Sequence, residues 1–291
     1  MSIFKTGLLM AVLTVLLLLV GAVLGGQNGM VIAFVFAVLM NFGTYWFSDK
    51  IVLAMYKAKE VGPNDAPEIY RIVEKLAQKA NLPMPRVYIV PSDIANAFAT
   101  GRDPKHAVVA VTSGIMNSLS ADEIEGVLGH ELAHVKNRDT LLSAVAATMA
   151  GAITMLASMA RWAAMFGGLR GDDDNDGGGI LGFIFLAILA PIAALLLQLA
   201  ISRTREYKAD RDGATISGAP LSLAHALRRM ESVAQNKPLN AGNPSFSNMF
   251  IVNPFKREGL ASILSTHPPI QKRIERLEAM NSDQRSVISD Q

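Results

Sequence analysis

Residues 120–139 read SADEIEGVLGHELAHVKNRD and combine a helix start with two histidines at helical spacing. Ser120 and Glu123 stand three residues apart, the spacing of a capping box, in which each side chain bonds the other residue's backbone N–H at the first turn of a helix. His130 and His134 are four residues apart, so both imidazoles lie on one face of that helix. Both rings can then reach one zinc ion at about 2.0–2.1 Å. The run therefore predicts a capped helix that carries part of a metal site.

Glu131 lies beside the first histidine and completes an HExxH pattern. A carboxylate at this position is placed to accept a proton from water activated by the metal, rather than to bind the metal itself. The pattern therefore indicates a metal-dependent hydrolase in which Glu131 is the general base.

A catalytic zinc also needs a third protein ligand and an open fourth position. The chain contains no cysteine, so this ligand is a histidine or an acid. The run SRTREYKADRDG, residues 202–213, places Glu206 on a predicted helix with Asp210 one turn further on the same face. Glu206 is the better candidate ligand, with Asp210 as an orienting neighbour behind it. An exposed charged helix next to a membrane would show the same spacing, and three other histidines remain available: His106, His225 and His267.

The hydrophobic residues, 51% of the 291, are concentrated in four blocks, at about 7–26, 30–47, 141–166 and 180–201. A membrane-spanning helix needs about 20 mostly apolar residues, and each block qualifies. The blocks predict two transmembrane hairpins, 7–47 and 140–201, the second with an acidic outer loop at 167–179. A cleaved signal peptide for the first block fits less well, because no small-residue cleavage site follows it.

The remaining residues form two polar segments, 48–139 and 202–291, which we expect to fold together as one domain. Lysines and arginines flank the blocks on the side of these segments, which predicts that the domain and both termini are cytoplasmic. Short apolar runs at 86–90, 96–100 and 107–112 predict a small antiparallel sheet beside the helices. The predicted fold class is thus a mainly α membrane protein with a cytoplasmic α+β domain. The net charge of +2 gives no indication of nucleic-acid binding.

Four stretches carry a resemblance to a known family: NAFATGRDPKHAVVAVTSG, GHELAHVKNRDT, SRTREYKADRDG and THPPIQKRIERL. They resemble the HtpX-type membrane zinc proteases, relatives of the CaaX prenyl protease type 1 enzymes. The resemblance implies a zincin-like fold with one zinc ion per chain, bound by His130, His134 and Glu206, with Glu131 as the base. It also implies that Asn96, at the edge strand that receives the substrate, or His267 stabilises the oxyanion.

The same resemblance implies polypeptide substrates, among them damaged membrane proteins, and a location in the bacterial inner membrane. Two other functions remain to be weighed. A dedicated processing protease of the CaaX type would have more spans than four. A non-catalytic membrane scaffold with a metal site would not need Glu131 or Glu206, and the sequence retains both.

Overall fold

The structure is a computed structural model that describes residues 2–149, 202–236, 250–252 and 268–289. Most of the two predicted spans after residue 140 lies outside these residues, as do the acidic loop at 167–179 and His267. The described residues form a mostly helical protein with one small sheet. Its helices are α1 Ser2–Met55, α2 Pro67–Ala80, α3 Ser113–Ser118, α4 Ala121–Lys136, α5 Thr140–Met149, α6 Arg203–Ser217, α7 Pro220–Asn236 and α8 Ile270–Ser289.

The helical backbone of α1 reverses direction at Gly26, whose φ is +57°. Gly21 and Gly29 would lie about 12 Å apart along a straight helix. Instead, the carbonyl oxygen of Gly29 lies 2.5 Å from the point that a Cβ on Gly21 would occupy. Further along the two arms, Asn41 Nδ2 donates to Thr14 Oγ1 at 2.8 Å. The absence of a side chain at Gly21 therefore lets the arms pack closely.

The second arm of α1 is the one helix among the described residues that is long and apolar enough to cross a membrane. It runs from Gly26 to Met55 and has a mean hydropathy of 1.8 in its most apolar window. Its large apolar side chains, Phe42 among them, are mostly exposed on the protein surface. Because the protein does not cover them, this arm has the surface expected of a helix that faces lipid.

The sheet contains four strands in the order β1-β2-β4-β3: β1 Lys59–Val61, β2 Arg86–Val90, β3 Ala97–Thr100 and β4 Val108–Thr112. The prediction of a purely antiparallel sheet is wrong, because β2 and β4 pair in parallel. The chain leaves β2, forms β3 at the far edge, and returns as β4 in the gap between them. There β4 pairs antiparallel with β3 on one side and parallel with β2 on the other. Every residue of this inner strand is buried.

Helix α4 begins with the predicted capping box. Ser120 Oγ accepts from the Glu123 N–H, and the Glu123 carboxylate accepts from the Ser120 N–H at 2.8 Å. The helix then crosses the centre of the domain and packs against α2, α6, α7 and β3. Its buried side chains share one hydrophobic core with α2, the sheet, α6 and α7. The two polar segments of the chain therefore jointly surround the helix that carries HExxH.

Candidate metal centre and active site

Three predicted ligands meet between α4 and α6. His130 and His134 project from the last two turns of α4, and Glu206 projects from the first turn of α6. One ligand atom from each lies within 4.8 Å of the other two. The sequence separation between the histidines and Glu206 is closed by the close packing of the two helices.

The spacing of these atoms fits a tetrahedral metal ion. The two Nε2 atoms lie 3.2 Å apart, His130 Nε2 lies 3.8 Å from Glu206 Oε2, and His134 Nε2 lies 3.4 Å from Glu206 Oε1. Bonds of about 2.0–2.1 Å to a tetrahedral ion place the ligand atoms about 3.4 Å apart. Two imidazoles and one carboxylate with this spacing can supply three of the four positions of a catalytic site.

The contact between α4 and α6 depends on glycine. A Cβ on Gly213 would lie 2.7 Å from the backbone N and Cα of His130, and a Cβ on Gly129 would lie 2.9 Å from the Gly213 carbonyl oxygen. Real Cβ atoms do not approach other heavy atoms this closely. The two backbones are therefore in direct contact one residue before the HExxH motif and beside its first histidine.

The outer nitrogen of each histidine faces a carboxylate. His130 Nδ1 lies 3.0 Å from Asp210 Oδ1, a distance at which the carboxylate can orient the ring. His134 Nδ1 lies 3.6 Å from Asp139 Oδ2. Asp139 was not predicted as part of the site, although it ends the same sequence run. These contacts favour the ring orientation in which both Nε2 atoms point inward.

A buried arginine closes the back of the cluster and was also missed in the sequence. Arg273, on α8, has a solvent exposure of 0%. Its Nε and Nη2 donate to the two carboxylate oxygens of Asp210 at 2.9 and 2.7 Å. Its Nη1 lies 3.6 Å from Glu206 Oε2. The guanidinium thus offsets the charge of two acids that would otherwise be buried together.

Glu131 is buried beside the ligands and contacts the edge of the sheet. Its Oε2 accepts from the backbone N–H of Ala99 at 2.9 Å. Burial raises the pKa of this carboxyl, and the charge of Glu206 acts in the same direction against the lowering effect of His130 and His134. A raised pKa brings a carboxyl closer to the range in which it can both accept and return a proton near neutral pH.

The other titratable groups are shifted by the same dense packing. Burial alone lowers the pKa of His134, but the carboxylates of Asp139 and Glu206 outweigh it and raise the pKa to about 10. Burial alone raises the pKa of Asp210, but Arg273 and His130 outweigh it and lower the pKa to about 2. Without a metal, the cluster therefore favours a protonated His134, and an ion that binds there must displace this proton.

Asn96 lies just before β3, fully buried, and its side chain contacts a distant segment. Its Oδ1 accepts from the backbone N–H of Ile251 at 3.1 Å, and its own N–H donates to Thr112 Oγ1 at 2.9 Å. The described segment 250–252 is itself buried. The side-chain oxygen of Asn96 therefore holds this segment beside the edge strand.

This arrangement, two histidines and a glutamate at metal-ligand spacing beside a second buried glutamate, is typical of one class of protein, the metal-dependent peptidases. Residues 63–281 match peptidase family M48, and the chain belongs to this family. It is 56% identical to a protease HtpX homolog of Syntrophobacter fumaroxidans over 278 residues, which are 95% of this chain and 99% of the relative. It is 58% identical to a protease HtpX homolog of Thermococcus kodakarensis over 273 residues, 94% of each chain.

Among solved structures, the chain is similar to S. mikatae Ste24p, with a TM-score of 0.51 and 19% identity. The match covers 91% of this chain but only 62% of the Ste24p chain, and it supports the fold alone. The family and its HtpX members confirm the predicted resemblance and the predicted class, a membrane-bound zinc metalloendopeptidase. Its substrates are polypeptides, and the site is one for a metal ion.

Proposed function

We propose that the chain binds one zinc ion through His130, His134 and Glu206 and uses it to cleave membrane-associated polypeptides. The observation that carries this proposal is the convergence of the three ligand atoms at tetrahedral spacing, with a buried glutamate beside them. Zinc suits the site because imidazole and carboxylate ligands in a four-coordinate arrangement are typical of catalytic zinc.

Glu131 is proposed as the general base. The ion, when bound, supplies Lewis acidity that acidifies water and polarises the scissile carbonyl. Glu131 accepts the proton of the attacking water and returns it to the leaving amine. The Ala99 N–H holds the carboxylate in position through its 2.9 Å hydrogen bond.

The substrate is proposed to lie along β3. This strand forms an edge of the sheet, and an edge strand can bind an extended peptide through its backbone hydrogen bonds. Oxyanion stabilisation is proposed for His267 or Asn96. An oxyanion needs a donor, and Asn96 Oδ1 already accepts from Ile251, so this role at Asn96 would fall to Nδ2.

The proposed topology has four spans in two hairpins, 7–47 and 140–201, around a protease domain formed by 48–139 and 202–291. The close approach of the two arms of α1 and the apolar surface of its second arm support the first hairpin. The cationic residues beside the blocks support a cytoplasmic domain and termini, and the resemblance to HtpX-type proteases supports the proposed location in a bacterial inner membrane. For a site at that surface, we propose a role in the quality control of damaged membrane proteins.

The test is cleavage of unfolded casein by the full chain in mild detergent with zinc. Glu131→Gln should bind zinc normally but lose activity by about 10²–10⁴-fold, because the base is removed. Glu125→Gln is the matched control, since Glu125 lies on the same helix but pairs at the surface with Lys75. If the wild-type chain binds zinc but cleaves neither casein nor a prenylated CaaX peptide, the scaffold function replaces the protease function. Cleavage of the CaaX peptide alone would instead indicate a processing enzyme.

A further inference from the structure

A second concave site lies where the apolar arm of α1 meets the turn between β3 and β4. The cavity has a volume of about 380 Å³. One wall is aromatic, and the other is formed by charged side chains from the end of α1, β2 and the turn at 101–107. Its lining residues are Phe42, Trp46, Phe47, Asp49, Lys50, Arg86, Arg102 and His106.

Cations dominate the charged wall. Arg86 is paired with Asp49 at 3.0 Å, which accounts for the one carboxylate in the lining. Within the described part of the chain, no carboxylate lies within ion-pair distance of Lys50, whose Nζ lies 5.5 Å from the centre of the Phe47 ring. A cation without a carboxylate partner at the rim of a cavity favours an anionic ligand.

The turn between β3 and β4 positions a further cation. Asp103 accepts from His106 Nδ1 at 2.8 Å, and the other ring nitrogen of His106 lies 2.7 Å from Arg102 Nη2. Asp103 also contacts Arg102 Nε at 3.5 Å. The guanidinium of Arg102 lies 4.8 Å from the centre of the Trp46 ring. Asp103 and His106 thus contact one side of the Arg102 guanidinium, and the Trp46 ring lies on the other. The side chain packs against the aromatic wall rather than extending into water.

The aromatic wall places the cavity at the level of a membrane surface. Phe42 is 61% exposed and Trp46 is 43% exposed, and both lie in the last two turns of the apolar block at about 30–47. Tryptophan beside lysine at the end of an apolar helix is typical of the interface between lipid tails and headgroups. A ligand in this position has an anionic group at Lys50 and Arg102 and an apolar part against the exposed face of α1.

We propose that this cavity binds the phosphate headgroup of an anionic phospholipid, with its acyl chains along the exposed face of α1. A cavity of about 380 Å³ holds a headgroup but not the tails, which remain in the bilayer. The turn at 101–107 joins β3, the strand that contacts Glu131, to β4. A lipid bound there would fasten this part of the protease domain to the membrane surface. This site lies apart from the metal ligands, so it can exist whether or not the proposed catalytic roles are correct.

The test uses Trp46 as a reporter. The chain has two tryptophans, so Trp162→Phe leaves Trp46 as the only one. The full chain is placed in bilayers with brominated phosphatidylglycerol or brominated phosphatidylcholine at equal mole fraction, and quenching gives the relative affinity of the two lipids. The anionic lipid should quench more strongly. Lys50→Gln should lower this preference about fivefold, the change that corresponds to about 1 kcal/mol for one charge near a membrane surface.

Lys105→Gln is the matched control, because Lys105 lies in the same turn but does not line the cavity. It should leave the preference unchanged, whereas Arg102→Gln should lower it as Lys50→Gln does. Equal quenching by the two lipids would overturn the proposal, as would an equal loss in Lys105→Gln, which would show general attraction only. Loss of the preference on addition of inorganic phosphate would indicate a site for a soluble anion and would overturn the assignment to lipid.

Discussion

The metal centre and the cavity at the end of α1 both gather charged side chains within a few ångströms, but they differ in burial. At the metal centre, Arg273, Asp210 and Glu206 are buried, and each charge depends on the others for compensation. At the cavity, the side chains of Lys50 and Arg86 are exposed, and water shares in their solvation. Charged residues of the same types are therefore expected to contribute more to stability at the metal centre than at the cavity.

This difference in burial predicts where a substitution should have a large effect on stability. Removal of one member of a buried pair leaves an uncompensated charge away from water, which costs several kcal/mol. Removal of one member of an exposed pair leaves a charge that water solvates, which costs about 0–1 kcal/mol. Four substitutions or titrations, taken from the largest effect to the smallest, test whether this contrast holds along the chain.

The largest effect on stability is expected at Arg273. Arg273→Met should lower the free energy of unfolding of the metal-free protein by about 3–5 kcal/mol, because it leaves Asp210 buried without its main partner. The measurement is denaturant unfolding followed by circular dichroism. The control is Arg276→Met on the same helix, whose exposed guanidinium stacks on Tyr207 at 3.8 Å and should cost about 1 kcal/mol or less. Equal losses in the two variants would contradict the contrast.

The next effect concerns metal affinity. Asp210→Asn should weaken zinc binding by about 10–100-fold, because the carboxylate orients His130 from 3.0 Å. Asp139→Asn should have a smaller effect, since its oxygen lies 3.6 Å from His134. Competition with a chromophoric chelator measures both dissociation constants. A larger loss in Asp139→Asn than in Asp210→Asn would show that the second histidine, not the first, limits binding.

A titration of zinc affinity against pH tests the protonation of the buried metal centre. The pKa of His134 is raised to about 10 in the metal-free protein, so this ring is protonated at neutral pH and must lose its proton to bind an ion. Apparent zinc affinity should therefore rise with pH, by about tenfold for each unit, up to about pH 10. Isothermal titration in buffers of different ionisation enthalpy counts the released protons. Binding without proton release at neutral pH would contradict the raised pKa.

The smallest effect is expected at the surface of α4. Lys75 is paired with Glu125 at 2.9 Å, but its side chain is 53% exposed. Glu125→Gln should change the free energy of unfolding by less than about 0.5 kcal/mol, because the Lys75 ammonium group that remains is exposed and water solvates it. The same denaturant experiment measures it. A loss above 2 kcal/mol, on the scale expected for buried pairs, would show that exposure does not separate the two classes of charge.

The sequence predicted most directly those parts of the candidate site that lie within one helix turn of each other, whereas Glu206 was the better of several candidate ligands until the family resemblance singled it out. The capping box at Ser120 and the paired histidines depend on spacings of three and four residues, and α4 has both as expected. Arg273 could not be predicted in this way, because 143 residues separate it from the His130 ring that it approaches. The only indication of a buried role was the position of Arg273 in the sequence. It is a charged residue on the core side of a helix that begins at Ile270, next to the buried Ile274.

The sheet illustrates a similar limit to what can be predicted from sequence. The three predicted strands are present within one residue, because each is an apolar run bounded by turn residues. The order of the strands is not encoded in any one of these runs. It depends on the loop from β2 to β3, which leaves the gap that β4 fills. Strand β1 was missed because three residues are too few to show an alternating pattern.

The direct contact between Gly213 and His130 has a consequence for ionic radius. The two helix backbones meet without a side chain between them, so their separation also fixes the distance from the histidine pair to Glu206. Calcium requires six or more oxygen ligands at about 2.3–2.6 Å, whereas this centre offers two imidazole nitrogens and one carboxylate at tetrahedral spacing. The fit of this centre to a small four-coordinate ion thus depends in part on Gly213, a residue that would not contact the ion.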